Sequence, residues 1–364
     1  YNSDWRAYTE LDFESIKLYN TDKHTAAPLA LVWSLSSVNN SVRQSSRYKL
    51  TAWGISNPLE FWKLFEKCIS IDDVQVLEDI FAVSFGIALD QFICDEYLLI
   101  ASKWFIENLF SNEGLKKYEN VALRYYGAGV VKTAISHGLM DAGLRQLVTP
   151  PYSYDPDYLP LCRDALDSNR MGGYQAIDYD LARYVLCDRL DDYFRTDYIT
   201  KEYHYKAAEF IKKYETKYNL SDLKVEGFII ALAYQFILNQ GWNKERFWGY
   251  EDKDNLGIDI VIRRTYYPAT HGEMSRVMTV AEKTVWLAKH KIEAIFDNEI
   301  PLSKDYKTFQ YVDDYSQLEN FTNTYQDYAN TLHRAKKHTW FNADLLACLD
   351  CETIDKEKIE RWMQ

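Results

Sequence analysis

The stretch 279–297, "TVAEKTVWLAKHKIEAIFD", separates two kinds of protein: one built around an active site, and one built from helices stacked for their own sake. Val285, Ala288, Ile292 and Ile295 recur at spacings of three and four, the period of a helix that buries one face. Thr279 and Glu282 stand at capping-box spacing, so Glu282 is read as satisfying a backbone N–H at the helix start. Trp286, His290 and Glu293 run along one edge of the apolar stripe. An imidazole and a carboxylate one turn apart can supply half a metal site or an acid–base pair. Di-metal bundles draw Glu-x-x-His from two helices, and that string does not occur in this sequence. The reading is therefore structural: a Trp and a His packed and hydrogen-bonded where two helices meet. No catalytic, cofactor-binding or metal residue is assigned.

Helical periodicity extends outward from there. "NPLEFWKLFEKCIS" offers Asn57 as a cap, Pro58 at the first helical position, and a stripe of Phe61, Leu64, Phe65 and Cys68. "SIDDVQVLEDIFAVSFGIALD" follows, with Ser70 read as its cap and Val74, Leu77, Phe81, Phe85 and Ala88 at helical spacing. "DEYLLIASKWFIENLFS" and "KYENVALRYYGAGVVKTAISHGL" read as one helix each, the second closed by Gly138. The expected fold is all-α: stacked helical hairpins, a HEAT-like solenoid, with an extended Pro/Tyr-rich insertion and at most a minor β-hairpin near "NLGIDIVIRRTYYP". Four regions are expected: a helical repeat region over 1–147, a Pro/Tyr/Asp-rich connector over 148–177, a second helical region over 178–303, and a helical tail over 304–364. The connector is placed by "VTPPYSYDPDYLP", whose prolines push the residues before them out of helix.

Composition narrows the function classes. The net charge of −12 argues against a face for nucleic acid, which needs clustered Lys and Arg to displace counterions. No apolar run approaches about 18 residues, so no membrane-spanning segment is expected. The six cysteines stand mostly isolated in apolar runs, which reads as reduced thiols and a cytoplasmic setting. The opening "YNSDWRAY" lacks a Met, and the chain is expected to be a segment of a longer protein.

Other chemical candidates are weaker. His333, His338, Cys348 and Cys351 have a loosely zinc-like spacing, but "ADLLACLD" reads as a packed apolar run. "YGAGVVK" (126–132) lacks the length and the Ser/Thr of a phosphate loop. "GIDIVIRR" has Arg263 and Arg264 where a metal-dependent nuclease wants a second acid and a Lys. The acidic run from Asp155 to Asp192 reads as a solvated face, or as a protein-recognition surface beside the connector tyrosines. No cofactor is implied.

Several of these stretches, in order over residues 45 to 300, resemble the C-terminal helical region of large bacterial STAND NTPases, among them AVAST-type antiviral defence proteins. The resemblance is carried by "LTAWGISNPLEFWKLF", "EDIFAVSFGIALD", "RYYGAGVVKTAISHGL", Pro150-Pro151-Tyr152, "DLARYV" (180–185), "GWNKERF" (241–247), and Lys283, Trp286, Ala288 and His290. The chain departs from that pattern at Thr284, Val285 and Lys291. The resemblance implies a sensor segment that binds a foreign protein, such as one of phage origin, on the concave side of the array and biases a nucleotide switch outside this chain. A hydrolase with an undetected site near His290 or in 148–177, and a structural scaffold subunit, are the competing expectations.

Overall fold

A computed structural model of the chain describes residues 23–37, 39–154, 161, 186, 190, 201–221, 224–240 and 280–300. The described residues are mostly helical and form no β-strand. Eleven α-helices are described: α1 (Lys23–Ser34), α2 (Asn40–Ser56), α3 (Pro58–Cys68), α4 (Val74–Ala88), α5 (Asp95–Trp104), α6 (Asn112–Lys117), α7 (Val121–Ser136), α8 (Leu144–Leu147), α9 (Lys201–Tyr218), α10 (Val225–Asn239) and α11 (Val280–Glu299). The all-α class expected from the sequence is what the chain adopts. The β-like run near 256–268, the zinc-like His/Cys residues, the tail over 304–364 and most of the connector lie outside the described residues.

Local signals explain the helix ends, with two corrections. Pro58 opens α3, but the Asn57 side chain caps nothing in it. Its Nδ2 instead donates to the Trp53 carbonyl at 3.1 Å, closing α2 behind it. Ser70 is likewise not the cap of α4: its hydroxyl donates to the Lys67 carbonyl at 3.2 Å. The cap is Asp73, which accepts from the Gln75 N–H at 3.0 Å. In both places a polar side chain satisfies the end of the helix before it rather than the start of the next. Gly138 has φ +72°, and it closes α7 with Gly138 N–H on Ile135 and Leu139 N–H on Ala134, both at 3.0 Å. That double bond set is the glycine-closed helix end expected from the sequence.

The two longer sequence-read helices break where packing demands it. α5 continues as a π-helical turn over Phe105–Leu109, and Phe110 N–H reaches back to the Phe105 carbonyl at 3.0 Å. Ser111 then caps the short α6, and Gly114 lies so close to the Asn108 carbonyl that a Cβ would not fit. Asn120 caps α7 through the Leu123 N–H at 3.1 Å, so of "KYEN" Lys117 ends α6 and the other three residues form the turn before α7.

Side-chain neighbours fix the directions. Arg43 and Arg47 meet Asp79, and Gly54 lies against Ile87, so α2 and α4 run parallel. Phe81 faces Tyr118 and Phe85 faces Tyr126, so α4 and α7 are parallel too. α5 runs back against α4: Tyr97 bonds to Ser84, and Phe105 meets Phe81 edge-on. α3 runs alongside α5, with Phe61 near Tyr97 and Phe65 near Phe105. The result is stacked hairpins: α2, α4 and α7 in one row, with α3 and α5 returning in the other.

An aromatic cluster of Phe61, Trp62, Phe65, Phe81, Tyr97, Trp104 and Phe105 fills the space between the rows, with ring centroids from 4.7 to 6.5 Å apart. This core takes in Val148 and, partly buried, Tyr152 and Tyr154. A second core gathers α9, α10 and α11 around Phe210, Tyr214, Phe228 and Phe296, and holds Leu161, Leu186 and Leu190. Val285, Ala288, Ile292 and Ile295, the stripe read from the sequence, are all 0 % exposed within it. α11 touches α7 on one side and α10 and α9 on the other, so it joins the two cores.

Candidate functional site

The richest collection of ionisable side chains among the described residues lies where α11 crosses the N-terminal halves of α4 and α7. His290 Nδ1 is 2.7 Å from Glu78 Oε1, and both residues are buried. The same carboxylate oxygen accepts from Asn120 Nδ2 at 2.6 Å. Asn120 thus does two jobs, capping α7 with its oxygen and holding Glu78 with its nitrogen. Glu78 sits in an apolar helix and takes its bonds from two neighbours. A carboxylate removed from water needs such donors to remain there.

Three more contacts continue the line. Lys283 Nζ meets Asp73 Oδ2 at 2.6 Å, and Lys291 Nζ meets Glu119 Oε2 at 3.1 Å. Arg124 sends Nη1 to the Ala294 carbonyl at 3.0 Å and Nη2 to the Leu115 carbonyl at 2.6 Å and to Tyr154 Oη at 2.9 Å. Tyr154 in turn donates to Glu119 Oε1 at 3.0 Å. The Arg124 guanidinium lies 5.3 and 4.9 Å from the Tyr152 and Tyr154 rings. Burial raises the phenols of Tyr152 and Tyr154 above their ordinary range, against the pull of the Arg124 charge. Asn298 Oδ1 accepts from the Tyr152 N–H at 2.6 Å, tying the connector's first residues to the end of α11.

Glu293 has a different partner. Its Oε1 is 2.9 Å from Lys289 Nζ, one turn back on the same helix, and both side chains are 1 % exposed. Lys289 also lies 5.3 Å from the Trp286 ring, and Trp286 and His290 are 6.1 Å apart, tilted. The three residues read as an edge of the helix thus divide: His290 bridges to α4, while Trp286 and Glu293 hold Lys289. No group of three His, Cys, Asp or Glu side chains placed to hold a metal ion occurs among the described residues. "YGAGVVK" lies inside α7, where Gly127 and Gly129 let the Phe105 and Phe85 rings approach its backbone. Its glycines serve packing.

A second buried charge set lies one helix away. Asp79, fully buried, is 3.4 Å from Arg43 Nε and 3.2 Å from Arg47 Nη1. Burial pushes its carboxyl up, and the Arg47 and Arg43 charges pull against that.

Sequence reasoning missed Glu78, Asn120, Glu119, Arg124 and Asp79. The available signal was a pair of acids, Glu78 and Asp79, set inside the strongly apolar "VQVLEDIFAVSFGIA", and Arg124 inside "VALRYYGAGVV". A charge within an apolar run has to find a partner.

The described surface has one feature of a different kind. The turn between α4 and α5 presents Phe92 at 84 % exposure, whereas Val42, Ile100, Leu147 and Leu238 reach only 37–42 %. The turn is ordered around it: Asp90 Oδ1 accepts from the Phe92 N–H at 2.9 Å, and Ile93, 8 % exposed, is buried beside it. Gln91, Cys94, Asp95 and Glu96, its near neighbours in the chain, are exposed as well. No helix among the described residues is long and apolar enough to cross a membrane. No protein-family model, curated protein or solved structure matches the chain.

Proposed function

We propose that this chain is the protein-recognition segment of a larger antiviral-defence NTPase of the STAND type, with the nucleotide switch outside these residues. The resemblance in residues 45–300 supports the family. Phe92 supports recognition. An exposed benzyl group of this size costs hydration free energy when nothing covers it. Here the Asp90 turn holds it outward and Ile93 anchors the turn, so its exposure is built in rather than a loose end. Asp95 and Glu96 beside it define the counterpart: a foreign protein with an apolar pocket rimmed by Lys or Arg. The ionisable groups of the α11 seam are engaged with one another across helices, which favours a binding module over a hydrolase.

The test places a photo-crosslinking amino acid at position 92 of the full-length protein in infected and uninfected cells. A phage protein captured only on infection is then purified and its affinity measured. Phe92→Ala should weaken binding by about 10- to 100-fold, as for the loss of an aromatic anchor. Reversing Asp95 and Glu96 to Lys should weaken it further. An identical captured set in both cell states, or equal binding by Phe92→Ala, refutes the reading.

A further inference from the structure

The two faces of α11 are held by different physics. Toward α9 and α10 it buries Val285, Ala288, Ile292, Ile295 and Phe296, each 0 % exposed, in an apolar core. Toward α4 and α7 it presents Lys283, His290 and Lys291 to Asp73, Glu78 and Glu119, with Arg124 bonded to the Ala294 carbonyl and Asn298 to Tyr152. The first core and the second are separate apolar clusters with this mainly polar seam between them, crossed by one apolar contact where Val74, at the start of α4, packs against the second core. Separating an apolar face exposes area with nothing to recover. Separating paired charges lets each group regain its hydration, which offsets much of the attraction lost. A seam of this composition fixes one docked geometry and costs less to part than either apolar core among the described residues.

We propose that the seam is a joint: α11, carrying α9 and α10, parts from α4 and α7 as a unit while both apolar cores stay folded. The contacts place its edges. Lys283 with Asp73 marks one end and Asn298 with Tyr152 the other, so the parting surface runs the length of α11. Glu78 is its centre, because it holds His290 of α11 and Asn120 of α7 through one oxygen. This inference stands apart from the recognition reading, since it concerns how the chain opens and not what it binds.

The test is the rate at which buried cysteines are alkylated in the full chain, read by peptide-resolved mass spectrometry. Three single variants report three places: Ala294→Cys in the seam, Ala288→Cys in the second core and Ala134→Cys in the first, all at positions 0 % exposed. The joint requires the seam cysteine to react at least about tenfold faster than either core cysteine, with a weaker dependence on urea, as sub-global opening does. Adding Glu78→Gln should speed labelling at 294 by a further tenfold or so and leave 288 and 134 unchanged. Equal rates and equal urea slopes at all three positions overturn the joint, as does a Glu78→Gln effect shared by all three. Thr284→Cys, at a position 7 % exposed and two helical turns before Lys291 on the same face of α11, gives the same readout if the 294 variant does not fold.

Discussion

At the scale of single residues, the buried charges carry the most testable energetics. His290→Gln keeps a polar group beside Glu78 but removes the imidazole, and should lower the unfolding free energy by about 1.5–3 kcal/mol in urea melts. Glu78→Ala leaves both His290 and Asn120 without their shared acceptor and should cost about 3–5 kcal/mol. A well-folded His290→Gln chain that loses a measured activity at unchanged stability would contradict the structural role. Thiol chemistry gives a second check. Burial pushes the Cys68 thiol up to about 12, whereas Cys94 is exposed. Alkylation at mildly alkaline pH should modify Cys94 in the native chain and reach Cys68 only on unfolding. Tyr97 gives the pH dependence. It is fully buried, its hydroxyl bonds to the Ser84 hydroxyl and carbonyl, and burial raises its pKa from the ordinary 10.0. A raised acid favours folding below its unfolded value, and that contribution is lost as pH climbs toward the folded value. Stability should therefore fall above about pH 10, and Tyr97→Phe should remove up to about 1.4 kcal/mol per pH unit from that slope. Urea melts at several alkaline pH values decide it.

At the scale of elements, much was legible and the losses have physical causes. The stripes of α3 and α11 could be read because one face of each is uniformly apolar, and every residue named in them is buried. The capping bonds, though not the start of α3 at Pro58, were misassigned at Asn57 and Ser70 because an amide or hydroxyl beside a helix end can serve either neighbour, and spacing does not say which. The π-turn at Phe105–Leu109 carried no sequence mark, since an extra residue in a helix is a packing outcome of the Leu109 and Phe105 contacts with Gly127. Glu78 was not singled out, because its partners come from positions 120 and 290. No local window contains them. Two cap predictions belong here. Asp73→Ala removes both the cap of α4 and the partner of Lys283, and should cost about 1–2 kcal/mol in a thermal or urea melt. Gly138→Ala places a Cβ at φ +72° and should cost about 1 kcal/mol, although open space surrounds it, because the strain is in the backbone.

At the scale of the whole molecule, the helix row has an electrical direction. α2, α4 and α7 run the same way, with 17, 15 and 16 residues, while the returning α3 and α5 have 11 and 10. Each helix end carries about half a charge whatever the helix length, so the three parallel helices are only partly cancelled by the two returning ones. The carbonyl ends of the row lie at the edge where the α4–α5 turn displays Phe92, next to Asp95 and Glu96. That edge therefore carries about half a negative charge from the backbone in addition to its two carboxylates, and the cationic partner proposed above would be drawn toward it before contact. Ionic strength should then act mainly on how often the visitor arrives, while the aromatic ring governs how long it stays.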